Sequence, residues 1–307
     1  MNHLVAIVGP TGIGKSQLAL SLAQALNGEI VSADSRQVYR HMDIGTAKPV
    51  AEELALVPHH LISIVNPDED FSLAQYQQLA NLAIEDIQNR GKLALLVGGS
   101  GLYIWSVLEG WEIPRVPPDP EFRHSLEERA ARDGKDALYQ ELMTVDPVAA
   151  QRIDPRNVRR TIRALEVHRA AKTPFSQLQR KKTPPFETLI IGLTAERAEL
   201  YNIIDSRVDK MMEQGLVTEV ETLVSRGYDI NLPAMSSIGY KQIGTFLRGE
   251  AELETATQQI KFENHRFVRH QYSWFQLKDD RIHWFNIQGE PEPEIAAMLD
   301  EFLREKK

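Results

Sequence analysis

The sequence contains no cysteine among its 307 residues, which excludes disulfide bracing and thiolate zinc sites. Long apolar runs are also missing: none approaches the ~18 residues of a membrane span. Ahead of the first glycine-rich loop only Leu4 to Val8 are continuously apolar, so no signal peptide is expected. There is no internal repeat and no low-complexity tract. These absences lead to the expectation of a cytoplasmic protein without a membrane partner, in which nothing demands more than a monomer. What remains is ordinary for a soluble globular chain, 42% hydrophobic and 25% charged, long enough for one large or two modest domains.

The formal net charge of −8 argues against a nucleic-acid partner only until its distribution is read. Between Gln151 and Thr183 ten lysines and arginines face two acids, Asp154 and Glu166. A concentrated basic segment in an otherwise acidic chain is the electrostatic footprint of a phosphate-backbone contact.

The most informative stretch is Gly9-Pro10-Thr11-Gly12-Ile13-Gly14-Lys15-Ser16, which follows the apolar run Leu4–Val8 and leads into a helical pattern over Lys15–Leu26. Glycines let the backbone wrap so that successive N–H groups form a nest for phosphate oxygens. Lys15 adds a charge that reaches a terminal phosphate, and the Ser16 hydroxyl is a candidate Mg²⁺ ligand. The motif specifies a phosphate and not its owner; ATP or GTP is the commonest.

Strand-like runs recur at Leu4–Val8, Glu29–Ser32, His60–Val65, Leu93–Val97, Leu189–Leu193 and Arg281–Ile287, and helical patterns (Ser72–Asn89, Leu102–Leu108) separate the early ones. Such alternation reads as an α/β fold, a P-loop NTPase-like parallel sheet with ligands beyond the carboxyl ends of its strands. Proline-rich stretches at 114–120 and 183–185 bracket a region that is helical throughout. The expected organisation is therefore a catalytic core of residues 1–113 and 186–307 with an all-helical insertion at 114–185. Asp119, Asp146 and Asp154, each followed by proline, are expected N-caps there.

Asp34 leaves the second strand beside the glycine loop. A turn or cap is one reading of this carboxylate; a proton acceptor or Mg²⁺ organiser is the other. The run Leu93–Val97 ends in Gly98-Gly99-Ser100-Gly101, where an NTP hydrolase usually carries a metal-binding acid. Neutral glycines leave room for a backbone approach to an anion, suggesting a diphosphate clamped between two glycine loops. In the insertion a helix over Asp154–Ala170 is expected, with a core stripe of Val158, Ile162 and Leu165. Arg156, Arg160 and Arg163 lie on another face, flanked by Arg159, and favour an RNA or DNA backbone contact over a merely solvated surface. Arg207, between Asp205 and Asp209, reads either as a surface salt bridge or as a diphosphate ligand. His59 and His60 point to opposite strand faces and read as structural. On the helix near Leu253–Phe275, most of the charges of Lys261, His265, Arg266, Arg269 and His270 align along one face, and Phe262, Phe267, Tyr272, Trp274 and Phe275 are expected in the core.

Taken together, these residues resemble the tRNA dimethylallyltransferases (isopentenyl-tRNA transferases). The likeness runs nearly end to end, through Gly9–Ser16, Ala33-Asp34-Ser35-Arg36-Gln37-Val38-Tyr39, Met42-Asp43-Ile44-Gly45-Thr46-Ala47-Lys48-Pro49 and Pro58-His59-His60-Leu61-Ile62. It continues in Val97–Tyr103, Arg163-Ala164-Leu165-Glu166 and Ile238-Gly239-Tyr240-Lys241-Gln242. The resemblance implies transfer of a dimethylallyl group from dimethylallyl diphosphate to N6 of the adenosine 3′ of a tRNA anticodon, with Mg²⁺. It implies that Asp34 contacts and deprotonates N6, and that Lys15, Ser16 and Arg207 stabilise the departing diphosphate. It assigns the anticodon stem-loop to Asp34, Ser35, Arg36, Gln37, Ser100, Arg123, Arg156, Arg159, Arg160 and Arg163. The family usually has threonine where this chain has Ser100; the hydroxyl, and with it a catalytic role, is kept while the methyl is not. The lack of cysteine matches the bacterial form, which has no zinc-finger extension. The rival readings are a small-molecule kinase and a non-catalytic, nucleotide-gated RNA-binding module; the basic insertion favours a large RNA acceptor over a free adenine nucleotide.

Overall fold

The computed structural model describes residues 2–114, 116–178 and 180–304. It divides into two compact units, Glu109–Thr183 and the remainder of the chain.

The larger unit begins with β1 (His3–Val8), α1 (Lys15–Ala25), β2 (Gly28–Ser32), α2 (Ala51–Leu56), β3 (His59–His60), α3 (Leu73–Asn89), β4 (Leu93–Val97) and α4 (Gly101–Leu108). The smaller unit follows with β5 (Trp111–Glu112), α5 (Pro120–Asp133), α6 (Lys135–Val145), α7 (Pro147–Arg152), α8 (Val158–Ala171), α9 (Phe175–Leu178) and β6 (Arg180–Lys181). The larger unit resumes with β7 (Glu187–Thr194), α10 (Arg197–Glu213), α11 (Leu216–Ser225), a 3₁₀ turn (Ala234–Ser236), α12 (Tyr240–Leu247), α13 (Leu253–Trp274), β8 (Ile282–Asn286) and α14 (Glu292–Arg304).

Six strands of the larger unit form one sheet in the order β3-β2-β4-β1-β7-β8, and every neighbouring pair is parallel. Its central strands are apolar on both faces: all six residues of β1 and all five of β4 are buried. That is the pattern of a parallel sheet covered on two sides. Val5, Ile7, Leu95, Ile191 and Leu193 pack with Leu18, Leu22, Ile204 and Leu299 of the flanking helices. Parallel strands place their carboxyl ends on one edge, so the loops after β1, β2, β4 and β7 gather there.

A carboxylate is buried within this sheet. Glu29 on β2 is 2% exposed and receives Arg90 Nη2 at 2.8 Å, Lys92 Nζ at 2.8 Å and His60 Nε2 at 2.7 Å. The hydrogen bond from Arg90, reinforced against burial by Lys92 and His60, holds its carboxyl far below the usual range. His60 is thereby structural, and His59 Nδ1 meets the Val57 carbonyl at 2.8 Å.

The smaller unit packs Leu126, Leu138, Leu142, Ile153, Ile162 and Leu165 into its own core. Asp119 and Asp146 cap α5 and α7, accepting from Phe122 N and Ala149 N, with proline in the first turn.

Several expectations need correction. The expected strand His60–Val65 is reduced to His59–His60, because Leu61 and Ser63 take left-handed backbone angles (φ 64° and 53°). The N–H groups of residues 63–65 instead donate to Gln37 and Val38. The expected helix over Asp154–Ala170 starts only at Val158: Asn157 is the cap, accepting from Arg160 N, while the Asp154 carboxylate accepts from Arg156 N. The insertion is not purely helical, since β5 and β6 form a short antiparallel ladder. That ladder shifts the unit's limits from 114 and 185 to Glu109 and Thr183. Phe262 and Phe267 are exposed, because the buried stripe of α13 runs through Ala256, Ile260, Val268 and Gln271 and passes both by.

Candidate functional site

The glycine loop, residues 9–16, joins the buried end of β1 to the first turn of α1. Gly14 serves as the N-cap of α1 at φ 93°, a left-handed conformation that costs a side-chain-bearing residue energy. The turn aims the N–H groups at the start of α1 outward, where the helix dipole adds to their attraction for an anion. Ser16 stands exposed in the first turn.

Lys15 is mostly buried, and its Nζ donates to the Pro10 carbonyl at 2.6 Å. Burial, helped by the neighbouring Arg207 charge and opposed by Asp34, lowers its ammonium to about 7. Arg207, on α10, donates from Nη1 to Thr11 Oγ1 at 3.1 Å. Burial lowers its affinity for the proton as well, and Asp34 acts in the other direction. Two cations and one carboxylate from three separate elements thus act on one another at the carboxyl edge of the sheet. Two cations drawn out of water against one acid leave an excess of positive charge, which an arriving diphosphate would neutralise.

Asp34 accepts Arg36 N at 2.8 Å, an Asx turn that fixes the carboxylate just past β2. Ser35 N donates to Ser100 Oγ at 3.0 Å, and Ser100 Oγ is 3.3 Å from Ser35 Oγ, so the loops after β2 and β4 are locked together. Gln37 donates to the carbonyls of Thr46 and Ala47 and accepts from Ser32 Oγ. Arg36 Nη1 donates to the Pro233 carbonyl at 3.2 Å. A wall of buried tyrosine stands behind: Tyr76 stacks on Tyr103 with centroids 3.6 Å apart, and its hydroxyl donates to the Ser32 carbonyl. Burial, and then the charge of Asp34 among lesser causes, pushes both phenols above their ordinary range.

The second glycine loop works differently from its sequence-based reading. A Cβ on Gly98 would lie 2.2 Å from the Ala33 carbonyl oxygen, and one on Gly99 would lie 2.2 Å from Gln271 Nε2. Both spaces are filled by protein, so these glycines serve close packing of neighbouring loops rather than an approach of an anion.

The motif Met42–Pro49 is organised from a distance. Glu219 on α11 accepts the N–H groups of Asp43 (2.9 Å), Ile44 (2.7 Å) and Gly45 (3.2 Å) together with the Tyr240 hydroxyl (2.5 Å). Lys48 closes the loop onto Asp43 at 2.7 Å and onto the Tyr39 carbonyl.

In the smaller unit the expected arginines separate into two groups. Arg123 grips Glu166 through two hydrogen bonds of 2.8 Å, and Arg163 Nη1 adds a third at 2.5 Å. Glu166 is 2% exposed. Burial alone would raise its carboxyl, but Arg123, the Asp119 N–H and Arg163 hold it below the ordinary value. Arg159 and Arg160 project from the exposed face of α8, and Arg156 stands just ahead of it, paired with Asp154 at 2.7 Å. Arg123 and Arg163 therefore brace the unit, and Arg156, Arg159 and Arg160 present charge to solvent.

Sequence reasoning missed Gln271, Glu219 and Tyr76. Gln271 had a signal: it stands three residues after Val268 and four before Phe275, an amide on a core-facing helical stripe. Among the described residues no group of three or more histidines and acids could hold a metal, and no helix is long and apolar enough to cross a membrane.

Comparison with known proteins agrees with this geometry. A family model described as IPP transferase matches residues 37–278. A tRNA dimethylallyltransferase of Chloroflexus aggregans is 55% identical over 275 residues, 90% of this chain and 93% of the relative. One from Dehalococcoides mccartyi is 47% identical over 300 residues, 98% and 92% of the two chains. The crystal structure of a tRNA isopentenylpyrophosphate transferase from Bacillus halodurans superposes with a TM-score of 0.71 at 41% identity, covering 98% of each chain. A eukaryotic dimethylallyltransferase acting on tRNA gives 0.82 at 26% identity, over all of this chain and 81% of its own. By motif order, sheet topology and extent of match, the chain belongs to the IPP transferase family.

Proposed function

We propose that this chain transfers a dimethylallyl group from dimethylallyl diphosphate to N6 of the adenosine 3′ of the anticodon in tRNA, in the cytoplasm and as a monomer. The observation that carries the reading is the grouping of Asp34 with Lys15 and Arg207 at the glycine loop, in a chain of this family. A carboxylate beside two diphosphate-seeking cations is what a prenyl transfer to an amine requires. The N6 lone pair forms a bond to C1 of the donor as the C1–O bond breaks. The bonding pair leaves with the diphosphate, and the N6 proton passes to Asp34.

Adenine N6 is a poor nucleophile and diphosphate a good leaving group once its charge is met. Alignment and leaving-group stabilisation therefore carry most of the rate. Lys15, Arg207 and the N–H groups of the loop supply the positive field. The target base must leave its stack to reach the donor, and the turn carrying Asp34, Ser35, Arg36 and Gln37 would receive it beside Ser100. Arg156, Arg159 and Arg160 would hold the phosphates of the anticodon stem, on a unit whose shape Arg123 and Arg163 maintain.

The donor set suits Mg²⁺ that arrives with the diphosphate: one hydroxyl, Ser16, and no dedicated cage among the described residues. Mg²⁺ commonly keeps its waters and substrate oxygens while taking few protein ligands. When bound it would add charge neutralisation at the diphosphate.

The test offers unmodified tRNA and Mg²⁺ with radiolabelled dimethylallyl diphosphate in one tube and γ-labelled ATP in another. Isoprenoid label at the adenosine beside the anticodon, with ATP untouched, is the expected result. Consumption of ATP without prenylation would return the glycine loop to a kinase, and binding of tRNA with neither reaction would favour an RNA-binding module.

A further inference from the structure

We propose that Gln271 is the positioning residue that sets the two glycine loops against each other and so presents the donor diphosphate to the acceptor base. The inference rests on the reading of the glycine loop as the diphosphate site.

Gln271 is 3% exposed, on a helix from the far end of the chain. Its Oε1 accepts Thr11 N at 2.9 Å, and its Nε2 donates to the Gly99 carbonyl at 3.0 Å. One amide thus satisfies a donor of the first loop and an acceptor of the second, offering both from one planar group. The Thr11 N–H is consequently turned away from any anion, which leaves the nest to the N–H groups that follow it. The Nε2 atom also occupies the space that a side chain at position 99 would need, 2.2 Å from an ideal Cβ. Glycine at 99 and glutamine at 271 are therefore one device.

The helix holding that amide is itself tied to the other diphosphate-side groups. On α13, Lys261 Nζ lies 2.7 Å from Asp209 and donates to it, an acid two residues from Arg207 on α10. Next to Gln271, the Tyr272 hydroxyl meets Thr194 Oγ1 at 2.9 Å, at the end of β7. A single helix thereby holds the first loop, the second loop and α10, the helix that carries the arginine.

The test compares the full-length protein with Gln271→Ala, Gly99→Ala and the double variant. Binding of inorganic pyrophosphate is measured by calorimetry, and kcat and KM for each substrate by tRNA prenylation. Each single variant should weaken pyrophosphate about 10- to 100-fold, since two buried polar groups lose their partners or the loop is displaced. KM for dimethylallyl diphosphate should rise with it while tRNA affinity stays unchanged, a split that general unfolding would not give. Removing the amide takes away the 2.2 Å clash and leaves only the Gly9 carbonyl oxygen, 3.3 Å from a Cβ at 99, so adding Gly99→Ala to Gln271→Ala should cost much less than Gly99→Ala alone. Wild-type transfer together with unaltered pyrophosphate binding by Gln271→Ala, or losses that multiply in the double variant, would overturn the role of Gln271 alone. Weakened pyrophosphate binding by the variants of a wild-type protein that prenylates no tRNA would keep that role and overturn the proposed reaction instead.

Discussion

The lowered ammonium of Lys15 makes donor binding depend on pH in a way that can be worked out beforehand. Burial, and then the nearby Arg207 charge, lowers the Lys15 ammonium from 10.5 to about 7. A diphosphate in contact with the ammonium favours its charged form, opposes both effects and moves the group back towards its ordinary value of 10.5. Binding then requires the charged form, which is about half the population at pH 7 and about 1% at pH 9. The last proton of a phosphate monoester is lost near pH 6, so above pH 7 the donor contributes little change of its own. The dissociation constant for dimethylallyl diphosphate, measured by calorimetry without tRNA, should therefore rise about 50-fold from pH 7 to pH 9, about 2 kcal/mol. Close to one proton should be taken up per donor bound at pH 8, visible as a dependence of the binding heat on the buffer. Lys15→Arg, charged throughout this range, should flatten the profile. A flat wild-type profile, or an equal slope in Lys15→Arg, would refute the assignment of the titration to Lys15.

Two further outcomes follow from the geometry. Asp34→Asn keeps the Asx turn to Arg36 but removes the proton acceptor, so single-turnover prenylation should slow by about 10²- to 10⁴-fold while filter-binding affinity for tRNA stays within about threefold; unchanged turnover would exclude Asp34 as the base. Glu166→Gln leaves Arg123 and Arg163 without their buried anion and should cost about 3 kcal/mol in a urea titration. Because the Glu166 carboxyl is held below its ordinary 4.5, its contribution is present above that value and fades as pH falls through the folded-state value. The acid limb of the stability curve should accordingly be shallower in Glu166→Gln, and identical limbs would refute the linkage.

What could be read in the sequence was local or periodic. The glycine loop announces itself because strand, loop and helix are contiguous, and the α/β alternation and the caps at Asp119 and Asp146 are encoded within a few residues of where they act. The false strand at His60–Val65 shows the limit of periodicity, since an apolar run does not reveal that two of its residues turn left-handed beneath the loop of residues 37–40. Phe262 and Phe267 show another limit: aromatic character alone does not choose a helix face, whereas the stripe through Ile260 and Val268 does. Arg123 and Arg163 were legible as cations and not as partners of one buried acid, because the pairing with Arg123 depends on how two helices pack. Gln271 and Glu219 act on backbone groups contributed by distant parts of the chain, and no local pattern specifies those partners. The excess of positive charge around Lys15 was visible as residue types, but its effect on proton affinity required burial.

The position of β1 in the sheet carries a consequence for synthesis. Its neighbours are β4 and β7, and the 109–183 unit is encoded between them. As the ribosome works, β1 and β4 can join early, yet the far edge of β1 stays unpaired until β7 emerges. At ~5–20 residues per second that wait is about 5–20 s, far longer than local helices need to form. An apolar strand with a free edge over such an interval invites pairing with other nascent chains. The helical unit thus acts in time as well as in space: its length sets how long the strand that leads into the phosphate loop must be shielded during translation.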